Sequence, residues 1–280
     1  MDRAGADRVG VPAACVQVLV AVKHLPAAKS RLAPALGQRE RSALVLAMLT
    51  DTVSAALRSP VVGTVHVVTA DPTVVDAARA AGTVALHDPT STLNDALAHA
   101  ASRLDPGLPV LALQGDLPAL RPAELTAAVA AAAGGRAAVP DAAGTGTTLL
   151  IAPAGTALDP RFGPGSAAAH AGSGAVLLPG GWPGLRGDVD TVTDLGAAVR
   201  AGVGPATAAV LDTAGTPATV SAREHGVVEL RTDGGALLRC GEAAAVLGGW
   251  PRLRVGQRVR VHADAGGEVF LLTAAIAAPG

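Results

Sequence analysis

Val16-Gln17-Val18-Leu19-Val20-Ala21-Val22-Lys23-His24-Leu25-Pro26-Ala27-Ala28-Lys29-Ser30-Arg31-Leu32 runs from an apolar strand straight into a basic loop. The first seven residues are nearly continuous aliphatic chain, as in a strand covered on both faces. Lys23 and Lys29 are the only lysines of the 280-residue chain, and every other permanent cation is arginine. Lysine is a compact ammonium on a flexible stem, whereas guanidinium is a broad planar fork. Two lysines kept in one loop therefore read as a place where the fork does not serve. With Arg31 beside them at a strand end, they suit clustered phosphates. A solvated basic turn is the plainer account of the same residues.

Working outward, Gln38 to Arg58 has helical periodicity, with Leu44, Val45, Met48, Leu49, Val53 and Leu57 on one face. Val61 to Thr69 is rich in β-branched residues and reads as a buried strand. Asp71 and Pro72 supply an N-cap and a first helical position. Val84 to Leu86 and Val110 to Gln114 are further strands, separated by a helix over Thr92 to Leu104. A helix over Arg121 to Ala133 follows, then strands at Ala137 to Pro140 and Thr147 to Ala152. This alternation predicts an α/β fold, an open and mostly parallel Rossmann-like sheet with right-handed crossovers. Ligands of such sheets bind at the carboxyl ends of the strands. Lys23, Asp116 and the loop at Gly144 all fall at such ends.

After Val210 the composition changes. Asp212 to Pro217 resembles a linker, and from Ala218 the pattern becomes short strands with Gly-rich turns, about the size of a five-stranded barrel. The expected division is 1–211, a linker at 212–217, and a small all-β module at 218–280. The net charge of -1 gives no global attraction to nucleic acid or to an anionic membrane, so anions must be held by local clusters. Aromatics make up 1% of the chain, which removes most stacking platforms for single-stranded nucleic acid. The apolar run from Val11 to Val22 carries Gln17 and follows Asp2 and Asp7, so it reads as a strand rather than a secretory signal or a membrane span. Cys15 and Cys240 lie far apart without metal-ligand spacing, which suits two thiols in a cytoplasmic protein.

Three acids stand out. Asp116 lies where a buried strand stops, and Asp188 and Asp190 flank Val189. Residues two apart in an extended segment project the same way, so the second pair can converge on one cation. Hard carboxylate oxygens beside phosphates suit Mg2+. Asp190 or Thr191 capping the helix through Thr193 to Arg200 is the rival account of that pair. The Gly/Thr turn before Leu149, with Gly163 and Ser166 at a helix start, could hold a second phosphate through Thr148, Gly163 and Ser166. Asn94, the sole asparagine, suggests either a base or ribose contact or a structural hydrogen bond. His24 and His170 read as structural. No Gly-x-x-x-x-Gly-Lys-Ser/Thr phosphate loop, Gly-x-Ser-x-Gly elbow or zinc spacing is present.

Together, Val-Lys-x-Leu-x-x-Ala-Lys-Ser-Arg-Leu, Gly-Asp-Leu-Pro-Ala-Leu, Gly-Thr-Gly-Thr-Thr-Leu-Leu, Phe-Gly-x-Gly-Ser and Asp-Val-Asp-Thr resemble the phosphoenolpyruvate or 2-phospho-L-lactate guanylyltransferases of coenzyme F-420 biosynthesis. The resemblance covers about residues 15 to 211, with the motifs in the family's order. It implies a nucleotidyltransferase fold and a reaction joining GTP to a three-carbon phosphate with release of pyrophosphate. It also implies that Lys23, Lys29 and Asp116 are catalytic and that Asp116, Asp188 and Asp190 hold Mg2+. Thr148, Gly163 and Ser166 would bind phosphoenolpyruvate, and Lys23, Lys29, Arg31 and Asn94 the nucleotide. The tail from Ala218 resembles a degenerate cold-shock-type barrel. Phosphoenolpyruvate is the expected acceptor, with 2-phospho-L-lactate or another small phosphorylated metabolite as alternatives. A nucleic-acid-binding protein acting through the tail is the non-enzyme alternative.

Overall fold

The first sheet is built on β1 (Val16–Ala21), whose alternate residues face opposite layers. Val16, Val18 and Val20 enter one buried cluster and Leu19 the other. In chain order follow α1 (Gln38–Leu57), β2 (Val62–Thr69), α2 (Pro72–Ala80), β3 (Val84–His87), α3 (Leu93–Ala101), β4 (Val110–Leu113), α4 (Pro122–Ala131), β5 (Ala137–Pro140) and β6 (Thr147–Ala152). α5 (Ser166–Gly172), β7 (Val176–Leu177), α6 (Pro183–Arg186), α7 (Val192–Ala201) and α8 (Pro205–Ala214) complete this part. The computed structural model describes residues 16–274 except 24, 26–28, 251 and 265. Cys15, His24 and residues 275–280 lie outside the described residues.

The strand order is β3-β2-β1-β4-β6-β5-β7. β6 is antiparallel to both its neighbours, β4 and β5, while β3, β2, β1 and β4 are mutually parallel and β7 is parallel to β5. The sheet is therefore mostly parallel, with one reversed strand. α1, α4, α7 and α8 cover one face and α3 the other, which explains the unbroken apolar character of the central strands. Asp71 does cap α2, its carboxylate accepting the Thr73 N–H at 2.9 Å. α8 is tied to α1 by buried Asp51, which accepts the N–H groups of Ala206 (3.0 Å) and Thr207 (2.8 Å) at the positive end of the helix.

The stretch expected to be a linker is secondary structure instead. Asp212 to Ala214 finish α8, and Thr216 already opens β8 (Thr216–Glu224). Its Asp, Thr, Ala, Gly and Pro content looked like a tether, but Asp212 is engaged by Arg260 at 2.8 and 3.1 Å and the segment is held in place. β9 (Val227–Thr232), β10 (Leu237–Gly241), α9 (Glu242–Leu247), β11 (Arg258–Ala263) and β12 (Val269–Ala274) follow. They form an antiparallel sheet in the order β10-β9-β8-β11-β12, and among the described residues no ladder joins β10 to β12. α9 was absent from the sequence reading.

This second sheet is docked against the first unit. Leu271 is fully buried in the larger cluster, and Arg200 of α7 donates to the Leu247 carbonyl at 2.9 Å. Gly196 of α7 leaves no room for a side chain beside Leu247. Cys240 is a buried free thiol. No helix among the described residues is long and apolar enough to cross a membrane.

Candidate active site

The carboxyl ends of β1, β3, β4 and β5 meet at one edge, and reversed β6 brings its first residues to the same place. The Gln114 N–H donates to the Thr148 carbonyl at 2.9 Å, joining the ends of two of these strands. Gly115 then lets the chain turn, since a Cβ there would stand 3.1 Å from Val20 and 3.3 Å from Leu49. Asp116 follows. The backbone N–H of Val189 donates to the Asp116 carbonyl at 3.1 Å. That bond fastens the Asp188–Asp190 segment to the end of β4, and it brings the three acids into one cluster.

Lys29 sits among them. Its ammonium hydrogen-bonds one oxygen of Asp116 and reaches Asp190 Oδ1 at 2.6 Å. Burial works against the charged ammonium, but Asp116 and Asp190 outweigh it and hold the proton well above the usual lysine range. Lys29 also has left-handed backbone (φ 55°), which disfavours any residue with a Cβ by about 1 kcal/mol. Arg31 stands at the rim, 3.8 Å from Asp190 and mostly exposed. Asp190 does not cap α7. That role falls to Thr191, whose hydroxyl accepts the Asp194 N–H at 3.3 Å, so the Asp190 carboxylate is left to cations.

Two features mark the cluster as short of positive charge. Asp116 Oδ1 is buried and has no hydrogen-bond partner. Asp188 is pushed up to about 7 by burial first, then by repulsion from Asp116, Asp190 and Asp141, with Lys29 opposing. Among the described residues no three ligating side chains stand ready to hold an ion by themselves. Mg2+, however, usually takes one or two carboxylates and completes its shell with water and substrate phosphate, and this donor set fits that habit.

The two lysine side chains do not lie side by side. Lys23 donates to Asp88 Oδ2 (2.6 Å), the Thr90 carbonyl (2.9 Å) and Thr90 Oγ1 (3.1 Å), which engages all three of its N–H bonds. It braces the end of β1 onto the loop after β3. Burial would raise the Asp88 carboxyl, but hydrogen bonds from Lys23 and Thr90 hold it below its ordinary value. Sequence adjacency in one loop had suggested a joint phosphate site. The structure instead sends Lys23 toward β3 and Lys29 back across β4.

Asn94 makes a structural contact. Its amide donates to the Phe162 carbonyl (3.0 Å) and accepts the Phe162 N–H (2.8 Å), which uses one of its two N–H bonds and one oxygen lone pair. Buried His170 is the companion brace. Its Nε2 accepts the Arg161 N–H at 2.9 Å, so Nδ1 carries the proton and meets Thr147 Oγ1 at 2.9 Å. Together they fix the loop that presents Gly163 and Ser166. Gly163 takes φ 136°, a conformation that favours glycine. Ser166 begins α5, and Thr148 is fully buried with its hydroxyl 3.4 Å from the Val139 carbonyl.

A cavity of about 660 Å³ adjoins the acids, lined by Arg31, Asp141, Thr145, Trp182, Arg186 and Asp188 among others. Thr148, Gly163 and Ser166 are not in its lining. Arg186 was missed from sequence. It donates to the Pro140 carbonyl (3.1 Å) and the Asp141 carbonyl (2.8 Å) and so shapes the cavity wall. Its place two residues before Asp188 was the available signal. A second cavity, of about 670 Å³, lies near the start of β4 beside Leu104, Leu108 and Leu158, away from the acidic cluster.

Two buried histidines make the fold sensitive to acid. Burial, then Arg136, lowers His170 to about 4, and burial, then Arg260, lowers His262 to about 4. A histidine depressed in the folded state stabilises above its unfolded value of about 6.5 and loses that contribution as pH falls toward 4. Each contributes up to about 3 kcal/mol. The melting temperature will fall across this window, and His262→Gln will flatten the slope. An unchanged slope in the variant would remove His262 from the account.

The chain is similar to several known proteins. The family model described as "Guanylyl transferase CofC like" matches residues 16–173. A phosphoenolpyruvate guanylyltransferase of Salinispora arenicola (strain CNS-205) is 53% identical over 201 residues, which are 70% of this chain and 94% of that protein. One of Mycolicibacterium paratuberculosis (strain ATCC BAA-968 / K-10) is 52% identical over 200 residues, covering 69% and 90%. Among solved structures, a protein of Desulfovibrio desulfuricans G20 described as a nucleotide-diphospho-sugar transferase superposes with TM-score 0.57 at 19% identity, covering 71% of this chain and 94% of its own. That last likeness concerns the fold alone.

Proposed function

Since the chain belongs to the CofC-like guanylyl transferases, we propose that it transfers GMP from GTP to phosphoenolpyruvate, giving enolpyruvyl-diphospho-5'-guanosine and pyrophosphate in coenzyme F-420 biosynthesis. It is a nucleotidyltransferase. A phosphate oxygen of the acceptor attacks the α-phosphorus of GTP, and the bond from that phosphorus to the bridging oxygen of pyrophosphate breaks. The acceptor is a phosphate monoester with a second pKa of about 6, so it is already ionised at neutral pH. No general base is required, which agrees with the absence of any histidine, among the described residues, from the lining of the cavity beside the acids.

The obstacle is the approach of one anion to another. Asp116, Asp188 and Asp190 would hold Mg2+, which supplies charge neutralisation at the phosphates when bound. Lys29 meets the departing pyrophosphate, and Arg31 guides the triphosphate at the rim. Gly163 and Ser166 cradle the acceptor phosphate, with Thr148 buried behind them. Lys23 acts from a distance, by fixing the loop that Asp88 and Thr90 share. The observation carrying this reading is the Val189-to-Asp116 hydrogen bond, which gathers three carboxylates around one ammonium.

We assign catalysis to residues 1–211, in the cytoplasm where both substrates are found, and a structural role to 218–280. Trp250 and Phe270 are partly buried against the apolar clusters, which weighs against base stacking there. Pyrophosphate release and product mass with GTP plus phosphoenolpyruvate, 2-phospho-L-lactate or a sugar phosphate test the reading. Phosphoenolpyruvate is expected to turn over fastest. Faster turnover with either of the others would overturn the acceptor assignment.

A further inference from the structure

Lys29 occupies the position between Asp116 and Asp190 that a metal ion bound to those acids would claim. We propose that Lys29 is a built-in counterion: it keeps a divalent cation from settling on the carboxylates of the nucleotide-free enzyme and yields them when a triphosphate takes up its ammonium. This rests on the reading of Asp116, Asp188 and Asp190 as metal ligands.

Three observations lead there. The ammonium reaches two of the three acids by hydrogen bond, with its side chain only 12% exposed, so an arriving cation must displace it. Asp116 keeps a buried oxygen without a partner, so this carboxylate is only half satisfied by Lys29 and can accept a second cation when the first moves away. Lys29 is also held on left-handed backbone, a strained conformation of the kind that clusters at functional sites.

The choice of lysine follows from the same role. A point charge on a flexible stem can pass from carboxylate to phosphate, whereas a guanidinium fork would grip a carboxylate with two parallel bonds and leave it slowly. In a chain that uses arginine for every cation but two, this is a position where the difference matters. Lys23, by contrast, holds a closed set of three partners and has no such transfer to make. Metal and nucleotide then bind with positive coupling, since each is easier to accommodate once the ammonium has moved.

Mn2+ titration of the full chain without nucleotide, followed by the electron paramagnetic resonance of the free ion, tests the proposal. Lys29→Met is expected to bind Mn2+ at least about tenfold more tightly than the wild type. Equal binding by the two proteins overturns the counterion role. A Lys29→Met/Asp188→Asn protein that binds as tightly as Lys29→Met would instead remove the premise that these acids are the ligands. A measurement on the wild type alone decides the matter if the variants do not fold. Mn2+ alone should leave the melting temperature nearly unchanged, while Mn2+ with GTP raises it. An equal rise with Mn2+ alone overturns the proposal.

Discussion

Asp188→Asn will stop turnover and, in the nucleotide-free protein at pH 8, raise the melting temperature. The two effects share one cause. Asp188 is partly buried beside Asp116, Asp190 and Asp141, and its carboxyl is pushed up to about 7 by burial and then by these neighbours. A carboxyl raised in the folded state is indifferent to stability below its unfolded value, near 4. Ionising it becomes increasingly unfavourable to the fold between about 4 and 7, and the full penalty applies above 7. Discounted for partial exposure, that penalty is about 1–3 kcal/mol, and a neutral amide of the same shape abolishes it. The stabilisation should therefore be present at pH 8 and nearly absent at pH 4.5. Pyrophosphate release is expected to fall by about a thousandfold or more, because the charge that opposes anion repulsion is lost. Asp116→Asn should remove activity similarly but lower stability, since it breaks the ion pair with Lys29. Near-normal turnover of Asp188→Asn would show that this residue is not part of the machinery.

That contrast also shows what could be read without coordinates. The order of strands and helices through β6 followed from periodicity and from Asp71-Pro72, because buried strands and capped helices leave local signatures. The meeting of Asp116 with Asp188 and Asp190 was legible in part: Asp116 ends a strand and so falls at the ligand edge of the sheet, whereas Asp188 and Asp190 lie between α6 and α7 and were joined to it only by the family resemblance. Directions of long side chains were not legible. Lys23 and Lys29 are six residues apart, yet one pairs with Asp88 and the other with Asp116, a separation set by tertiary contacts far along the chain. Asn94 was visible as an anomaly of composition, but only the backbone of Phe162 explains it. The 212–217 stretch misled because a helix end and a strand start share the small residues of a linker, and the Asp212–Arg260 pair that holds it lies across 48 positions.

Gly184→Ala is expected to cost about a hundredfold in turnover although the residue touches no reacting group. Gly184 lies in α6, where its N–H donates to Glu124 Oε1 at 3.0 Å. Glu124 in turn accepts the Arg121 N–H at 3.1 Å and so belongs to the start of α4. A Cβ at 184 would collide with the carbonyl of Ala119 and with the Glu124 carboxylate. The carboxylate could swing aside, but the Ala119 carbonyl is backbone in the tight loop that follows Asp116, so α6 must be the element that retreats. Asp188 lies two residues beyond its end, and Arg186, inside it, holds the Pro140 and Asp141 carbonyls. Displacing α6 therefore moves one ligand segment away from the other and loosens the cavity wall as well. Misplacement by about 1 Å is enough for a hundredfold loss, and the overpacking itself should lower stability by about 1–3 kcal/mol. Because the chemistry is left intact, saturating metal and GTP should recover part of the rate, which Asp188→Asn cannot do. Wild-type turnover with wild-type melting would mean that α6 does not set the spacing of the two carboxylate segments.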